Sequence, residues 1–172
     1  MFIFRSFWRN TKGLIVSNNR SLENIDEILK CLRTLKCRDP ARGRLALDAR
    51  YELFLASYAL MTTDHNTVYG KEILIRILGT TINRAINHFQ DMMSALEDKP
   101  NVTIRETMQY FKVDKEIADF RNDFAHGNIP NIFIMTEAID ELTNLIIELY
   151  WKKFDGEIFT EEKNYFMELW IT

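Results

Sequence analysis

The sequence predicts an all-α fold, built from amphipathic helices around one core, and three observations support that prediction. Apolar residues recur at intervals of three and four over most of the 172 residues, and no segment alternates as a half-buried strand does. Pro40, Pro100 and Pro130 each lie between two apolar-periodic segments, where loops are expected. The composition, 47% hydrophobic and 27% charged, is typical of a globular domain.

The first part of the chain predicts an N-terminal segment followed by two helices. Residues 1–20 begin with the largely apolar MFIFRSFW, which is expected to pack on the domain. Ser21 is a favourable N-cap residue, and the apolar spacing after it predicts a helix over 21–37. The sequence RDPARG, 38–43, predicts a loop, and helical spacing resumes over 45–61.

The longest apolar-periodic segment comes next and predicts a helix over 69–96. Gly79 lies inside it, and two interpretations of this glycine are open. It either weakens the helix or lets another helix approach the backbone closely. The sequence EDKPNV ends the segment, and a short helix is predicted over 103–111.

The last third of the chain predicts helices on both sides of a polar segment. Asp114 is expected to cap a helix that reaches His126, with Gly127 at the left-handed position where many helices end. After the sequence NIPN, a long helix is expected to run to about Phe154. A last short helix is predicted over 160–169.

Charge and cysteine content exclude several classes of protein. The net charge is −3, whereas proteins that hold nucleic acid by bulk electrostatics are usually basic, so any RNA contact is expected at a local patch or a specific site. Cys31 and Cys37 point to different faces of their helix, about 600° apart. We therefore predict neither a disulfide nor a zinc site. A reducing compartment fits this cysteine content. No apolar run is long enough for a signal peptide or a transmembrane span.

The segment FRNDFAHGNIP, 120–130, contains the candidate chemistry. About 0.6 occurrences of Arg followed four to six residues later by His are expected by chance in this composition, so the short pattern alone is weak evidence. Asn122 and Asp123 lie four and three residues before His126, on the same side of a helix. They are expected to orient the imidazole ring, and Asp123 and the helix C-terminus would favour its charged form.

Arg121 has no acidic neighbour on its own helix face, since the residues three and four positions away are apolar. Its partner is expected elsewhere, as a distant carboxylate or as a phosphate that the guanidinium binds in a bidentate way. A structural interpretation, a tertiary Arg–carboxylate pair and a helix-ending histidine, therefore stands beside a catalytic one.

RNA cleavage is a reaction that these residue types serve. RNA carries its own nucleophile, the 2′-OH, so the reaction needs an acid, a base and a cation to stabilise the phosphorane, and no metal is required. One Arg and one His supply little of this. Two copies of the motif helix facing each other would supply two of each, which predicts an isologous dimer with a composite site.

The wider sequence resembles a known family. RNDFAH, 121–126, matches the Arg-polar-x-x-x-His motif of the HEPN superfamily (higher eukaryotes and prokaryotes nucleotide-binding). Three blocks in order, 29–60, 71–93 and 110–154, resemble the HEPN domain of the Las1-like family, endoribonucleases that cut the second internal transcribed spacer of pre-ribosomal RNA. The last block includes Ile129-Pro130 and the aromatic run Leu149-Tyr150-Trp151. The resemblance covers residues 22–154.

The resemblance implies a domain layout and a reaction. It implies an N-terminal segment over 1–20, a HEPN-type helical bundle over 21–156 that dimerises through its motif helices, and a short helix or tail over 157–172. The reaction is metal-independent and uses no cofactor, and it leaves a 2′,3′-cyclic phosphate and a 5′-hydroxyl. Arg121 would stabilise the phosphorane, and His126 would be the general acid and base.

The resemblance also implies partners and a place in the cell. Pre-ribosomal RNA would be the substrate, a homodimer the active form, and the nucleus or nucleolus the location, with the cytoplasm as the alternative. The family usually has histidine where this chain has Asn122, which would orient His126 or bind the scissile phosphate. Long members continue into a segment that docks on a polynucleotide kinase, and nothing here matches it. The chain is therefore expected to be a domain of a longer protein or a short member.

Two further groups are candidates for RNA contact. The segment 36–50 has a net charge of +3, from two aspartates and five basic residues: Lys36, Arg38, Arg42, Arg44 and Arg50. A solvated loop is an equally good interpretation of it. Arg84 and His88 share one face of the long helix and would border the motif, although a packed or exposed polar pair is the more common arrangement. No histidine or acid has the spacing of a metal ligand set.

Two other functions are open at this point. The first is a catalytically silent HEPN module that dimerises and recruits a nucleic-acid-processing partner. The second is a toxin-type HEPN nuclease that acts on tRNA or mRNA.

Overall fold

The computed structural model describes residues 2–17, 19–38, 44–97 and 99–152. The segments of periodic apolar sequence in these ranges form helices. Those residues contain helices and no strand, so the all-α prediction is confirmed. The elements are α1 (Phe2–Val16), α2 (Leu22–Arg38), α3 (Arg44–Thr62), α4 (Val68–Glu97), α5 (Ile104–Tyr110), α6 (Lys115–Ala125), α7 (Ile132–Ile146) and a π-helical turn (Ile147–Trp151).

Three helices begin at the polar residues that the sequence places there. The side chain of Thr103 accepts a hydrogen bond from the backbone of Glu106, whose carboxylate accepts one from the backbone of Thr103 in return. This reciprocal pair is a capping box at the start of α5. Asp114 caps α6, and Asn131 caps α7, each through its side-chain oxygen. The predicted starts of these elements are therefore confirmed to within a residue or two.

The long helices α3 and α4 form the centre of the bundle. They pack most extensively on each other, with α2 against α3 and α7 against both. One stripe of α4 is fully buried along its length, including Leu74, Leu78, Ile82 and Phe89. A helix of 30 residues is about 45 Å long at 1.5 Å per residue, so α4 can carry several neighbours at different levels.

The N-terminal segment forms a helix that the sequence interpretation did not assign. α1 packs against α2 and against the π-helical turn. Trp8 of α1 stacks on Trp151, with ring centroids 5.1 Å apart, and meets Tyr150 edge-on at 6.2 Å. α1 therefore lies against the same core, while the predicted domain limits at residues 20 and 156 stay predictions.

The predicted long helix after Pro130 changes its winding before it ends. α-Helical geometry stops at Ile146 and a π-helical turn continues it over Ile147–Trp151, so the segment is helical as predicted through Trp151 but is not α-helical throughout. The apolar spacing continues unchanged through this turn, which explains why the sequence does not indicate it. Phe154 and the predicted helix over 160–169 lie outside the described residues.

Candidate functional site

The motif helix α6 ends in a way that places His126 outside it. His126 is the C-cap residue (φ −96°, ψ 4°), and Gly127 follows with φ +77°, the left-handed conformation that glycine adopts without strain. The N–H of Asn128 donates to the carbonyl of Asp123 at 2.8 Å, and that of Gly127 to the carbonyl of Phe124 at 3.3 Å. These bonds form a Schellman motif. The predicted stop at Gly127 is confirmed, and it holds His126 at the helix end.

Gly79 determines how closely α6 approaches α4. The ring of Phe124 lies directly over Gly79, so that a Cβ added there would be 2.5 Å from Cε2 of the ring and closer still to Cζ and Cε1. Of the two interpretations of Gly79, the structure shows the close approach. Ile117 and Phe120 of α6 are also buried. The apolar face of α6 is thus held on the bundle, and its polar face is turned outward.

Arg121 is exposed on that outward face. Across the described ranges its guanidinium makes no hydrogen bond and no ion pair, so the tertiary Arg–carboxylate pair of the structural interpretation is not found there. A charged group that is free in water retains its full capacity to bind an anion. Phosphate binding by Arg121 stays a prediction.

His126 and Asn122 are exposed beside Arg121. The backbone N–H of His126 donates to the carbonyls of Asn122 and Asp123 at 3.0 and 3.2 Å. In this part of the structure no side-chain hydrogen bond joins Asn122 or Asp123 to the imidazole ring. The orienting role of Asn122 therefore stays a prediction, and the structure shows only that both side chains leave the same helix end.

An apolar surface beside the motif was not anticipated from the sequence. Ile129 in the loop after His126, and Phe133 and Ile134 in the first turn of α7, are 54%, 66% and 42% exposed. We call these three residues the α7 surface. Met135 and Ala138 of the same helix are buried. Phe133 lies about half a turn around the helix from Met135, so it faces outward.

Arg84 and His88 contact α3 rather than the motif. Arg84 pairs with Glu52 at 2.9 Å. His88 is half-buried, and burial lowers its pKa, although Asp48 and other nearby carboxylates oppose the change. It lies nine residues after Gly79, about half a turn around α4 from the face that α6 covers. The structure does not bring this pair together with Arg121, and RNA contact by it stays a prediction.

The basic segment is only partly described. Arg38 is the last residue of α2 and Arg44 the first of α3, and Arg42 lies outside the described residues. Lys36 forms an ion pair with Asp48. Arg50, counted in the net charge of this segment, is 1% exposed, so it is not part of a basic surface. RNA contact by Arg38, Arg42 and Arg44 stays a prediction.

The described residues contain neither a metal-ligand cluster nor a membrane-spanning helix. No group of three His, Cys, Asp or Glu side chains among them is placed to hold a metal ion. None of the described helices is both long and apolar enough to cross a bilayer.

An all-α bundle that presents an exposed arginine and an exposed histidine at the end of one helix has the features expected of a HEPN-type helical domain. The particular family follows from comparison with known proteins. The model of the Las1-like family matches residues 3–153, and the chain belongs to that family. The match includes α1, which the resemblance over 22–154 had left out. No curated protein and no solved structure matches the chain significantly. Membership supports, in general terms, a nuclease role in the processing of pre-ribosomal RNA.

Proposed function

We propose that this protein is a metal-independent endoribonuclease that cleaves the second internal transcribed spacer of pre-ribosomal RNA. One observation supports the proposal above the others. Arg121 is exposed and has no acidic partner within the described ranges, and it lies five residues before an exposed histidine on the same helix end. A guanidinium without a carboxylate partner can bind a phosphate in a bidentate way.

The proposed reaction follows from the RNA itself. The 2′-oxygen attacks the adjacent phosphorus as its proton passes to a base, and the bond from phosphorus to the 5′-oxygen breaks as that oxygen takes a proton. The products are a 2′,3′-cyclic phosphate and a 5′-hydroxyl. His126 is the general acid or base, and Arg121 stabilises the charge that develops on the phosphorane. Asn122 binds the scissile phosphate or orients His126.

A second copy of the chain completes the proposed site. One chain offers one imidazole at the motif, whereas the reaction uses both an acid and a base. The α7 surface, Ile129, Phe133 and Ile134, adjoins the motif and is apolar, as the centre of a protein interface is. Pairing two such surfaces across a two-fold axis would bring two motif helices together. The homodimer is thus part of the proposal.

The remaining parts of the proposal concern the cellular setting. With pre-ribosomal RNA as the substrate, the proposed location is the nucleus or nucleolus, and the cytoplasm is the alternative. A polynucleotide kinase, which would act on the 5′-hydroxyl that the reaction leaves, is a proposed partner for a chain that carries the docking segment of the long family members.

The proposal is tested by cleavage of spacer RNA in EDTA. We expect wild type to cut and to leave cyclic phosphate ends, and His126→Ala and Arg121→Ala each to slow cleavage by about 10²- to 10³-fold. His65→Ala and Arg76→Ala are matched controls, because both residues are exposed and lie on other elements. Equal cleavage by wild type and His126→Ala, or no cleavage by either, would refute the nuclease assignment. Cuts confined to tRNA or mRNA would favour the toxin-type alternative.

The dimer has its own test. Phe133→Asp places a charge in the α7 surface, where the side chain is 66% exposed in the single chain, so folding should be unaffected. We expect this variant to sediment as a monomer and to lose cleavage. Tyr69→Asp is the matched control, because Tyr69 is an aromatic residue 76% exposed on α4. A wild type that is monomeric at micromolar concentration would remove the composite site.

A further inference from the structure

Asn83 of α4 carries a hydrogen-bond acceptor that its neighbours in the described part of the chain do not use. Its side chain is half-buried, and the carboxamide oxygen Oδ1 is fully enclosed and has no hydrogen-bond donor there. Enclosing an amide oxygen without a donor costs free energy, because the oxygen loses its hydrogen bonds to water. Such a group in a folded domain therefore indicates a role other than stability.

The motif helix α6 passes directly over this part of α4. Phe111, at the end of α5, meets Phe89 of α4 with ring centroids 5.5 Å apart, and α6 begins four residues later at Lys115. The other end of α6 brings Phe124 over Gly79. α6 therefore runs antiparallel to α4, from the level of Phe89 to that of Gly79.

Arg121 lies at the level of Asn83 along this contact. Asn83 is four residues from Gly79 on α4. Phe120, which precedes Arg121, is likewise four residues from Phe124 on α6. Since both helices rise about 1.5 Å per residue, Asn83 and the Phe120–Arg121 pair face each other across the contact.

Both side chains also lie on the same side of the contact. Asn83 is about 40° past one full turn from Gly79 on α4. Arg121 is about 60° short of one full turn from Phe124 on α6. In an antiparallel pair these offsets turn both residues towards one side. That side of α4 faces solvent, since Thr80 is exposed there.

The guanidinium of Arg121 has more donors than a phosphate uses. A phosphate bound in a bidentate way takes only part of its N–H groups. An uncharged acceptor on the protein can hold another N–H without competing with the phosphate for the positive charge, as a carboxylate would. The amide oxygen of Asn83 is an acceptor of this kind.

We propose that Asn83 is the positioning residue for Arg121 when RNA is bound. Its Oδ1 accepts a hydrogen bond from the guanidinium after a change in the rotamer of Arg121, and other N–H groups bind the scissile phosphate. Asn83 acts through Arg121 and does not touch the RNA. Fixing the guanidinium in one orientation lowers the cost of placing it at the phosphorane. The inference rests on the proposed function, because that function supplies the phosphate.

The test compares cleavage of spacer RNA in EDTA by Asn83→Leu, Arg121→Ala and the double variant. Leucine keeps the bulk of asparagine and removes the acceptor, so we expect Asn83→Leu to cleave about tenfold more slowly than wild type. It should be at least as stable as wild type in urea, because the enclosed oxygen without a donor is gone. In the double variant the leucine should have no further effect, since the group through which Asn83 acts is absent.

Thr81→Val is the matched control. Thr81 is 4% exposed on the same helix, about 200° around α4 from Gly79, so the change also removes a buried polar atom but on the face turned away from α6. This variant should cleave as fast as wild type. If Asn83→Leu does not fold, Asn83→Ala takes its place, because it removes the same oxygen.

A second measurement does not depend on cleavage. The guanidinium N–H signals of Arg121, assigned by their absence from Arg121→Lys, are followed by ¹⁵N NMR with spacer RNA that is 2′-O-methylated throughout and so lacks the nucleophile. A hydrogen bond to Asn83 slows the exchange of these hydrogens with water. We expect exchange to be several-fold slower in wild type and Thr81→Val than in Asn83→Leu.

The outcomes separate this inference from the proposed function. Cleavage by wild type that equals cleavage by His126→Ala refutes the nuclease assignment alone, and the NMR comparison then decides the role of Asn83. The inference is overturned if Asn83→Leu cleaves as fast as Thr81→Val, or if the effects of Asn83→Leu and Arg121→Ala multiply. Equal exchange rates in wild type and Asn83→Leu would overturn it as well.

Discussion

Gly79→Ala tests whether the contact between α4 and α6 positions the motif. The added Cβ would lie 2.5 Å from Cε2 of Phe124 and closer to two other ring carbons. Carbon atoms pack at about 3.5–4.0 Å, so the ring must retreat by more than about 1 Å, or α6 must move with it. Phe124 lies between Arg121 and His126 in the chain, and a shift of the ring therefore moves the end of the helix that holds both.

The magnitude follows from two opposing effects. Overpacking of this kind costs about 1–3 kcal/mol. Alanine in place of glycine inside a helix contributes about 1 kcal/mol in the other direction. Gly13→Ala is the matched control, because Gly13 lies in α1 with no atom within 4 Å of an added Cβ. We expect Gly79→Ala to be about 1–3 kcal/mol less stable than Gly13→Ala by urea unfolding.

Gly79→Ala should change the rate of RNA cleavage more than it changes the free energy of unfolding. A misplacement of about 1 Å can cost a factor of about 10² in rate, so we expect Gly79→Ala to cut RNA about 10²-fold more slowly than Gly13→Ala. Adding Phe124→Leu to Gly79→Ala removes part of the ring and should restore stability. If Gly79→Ala is as stable and as active as Gly13→Ala, α6 is not held by this contact and the reasoning fails.

Three further predictions concern the helix ends and a half-buried histidine. Gly127→Ala puts a side chain at φ +77° and should lower the free energy of unfolding by about 1–2 kcal/mol in urea titrations. An unchanged free energy of unfolding would contradict this prediction. Hydrogen bonds from the backbone and side chain of Thr103, and then Lys99, lower the pKa of Glu106 to about 2. The stability it contributes should therefore be full above about pH 4.5 and disappear as the pH falls towards 2. Glu106→Gln should show less of this decline than wild type. Because burial lowers the pKa of His88, its ring should titrate by NMR below the ordinary 6.5, and a value above 6.5 would contradict its placement against α3.

Local sequence was sufficient to identify most of the helices and the candidate motif. Apolar spacing predicted α2 to α6 to within a residue or two, and Asp114 and Gly127 marked both ends of the motif helix. These signals arise within one or two helical turns, so the residues that produce them are near one another in the chain. The order of the three blocks added the family, which the comparison confirmed.

Local sequence does not give the partner of a residue when that partner lies on another element. Arg84 pairs with Glu52, 32 residues earlier, and the spacing of Arg84 on α4 favours a polar pair of this kind without giving the partner. Arg50 was grouped with exposed basic residues, and packing of α3 against α7 buries it beside Thr143, 93 residues later. The local pattern predicts neither contact. The spacing of an arginine among apolar residues is the same whether its face of the helix meets solvent or another helix.

The sequence therefore determined the helices, the order of the motif residues and the family, because each depends on neighbours in the chain. Only the tertiary structure showed that Arg121 is exposed without an acidic partner in the described ranges, and that the motif helix is fitted over Gly79. Those two facts depend on how segments distant in sequence pack together. The periodicity of any one helix does not specify which face of its neighbour it will meet.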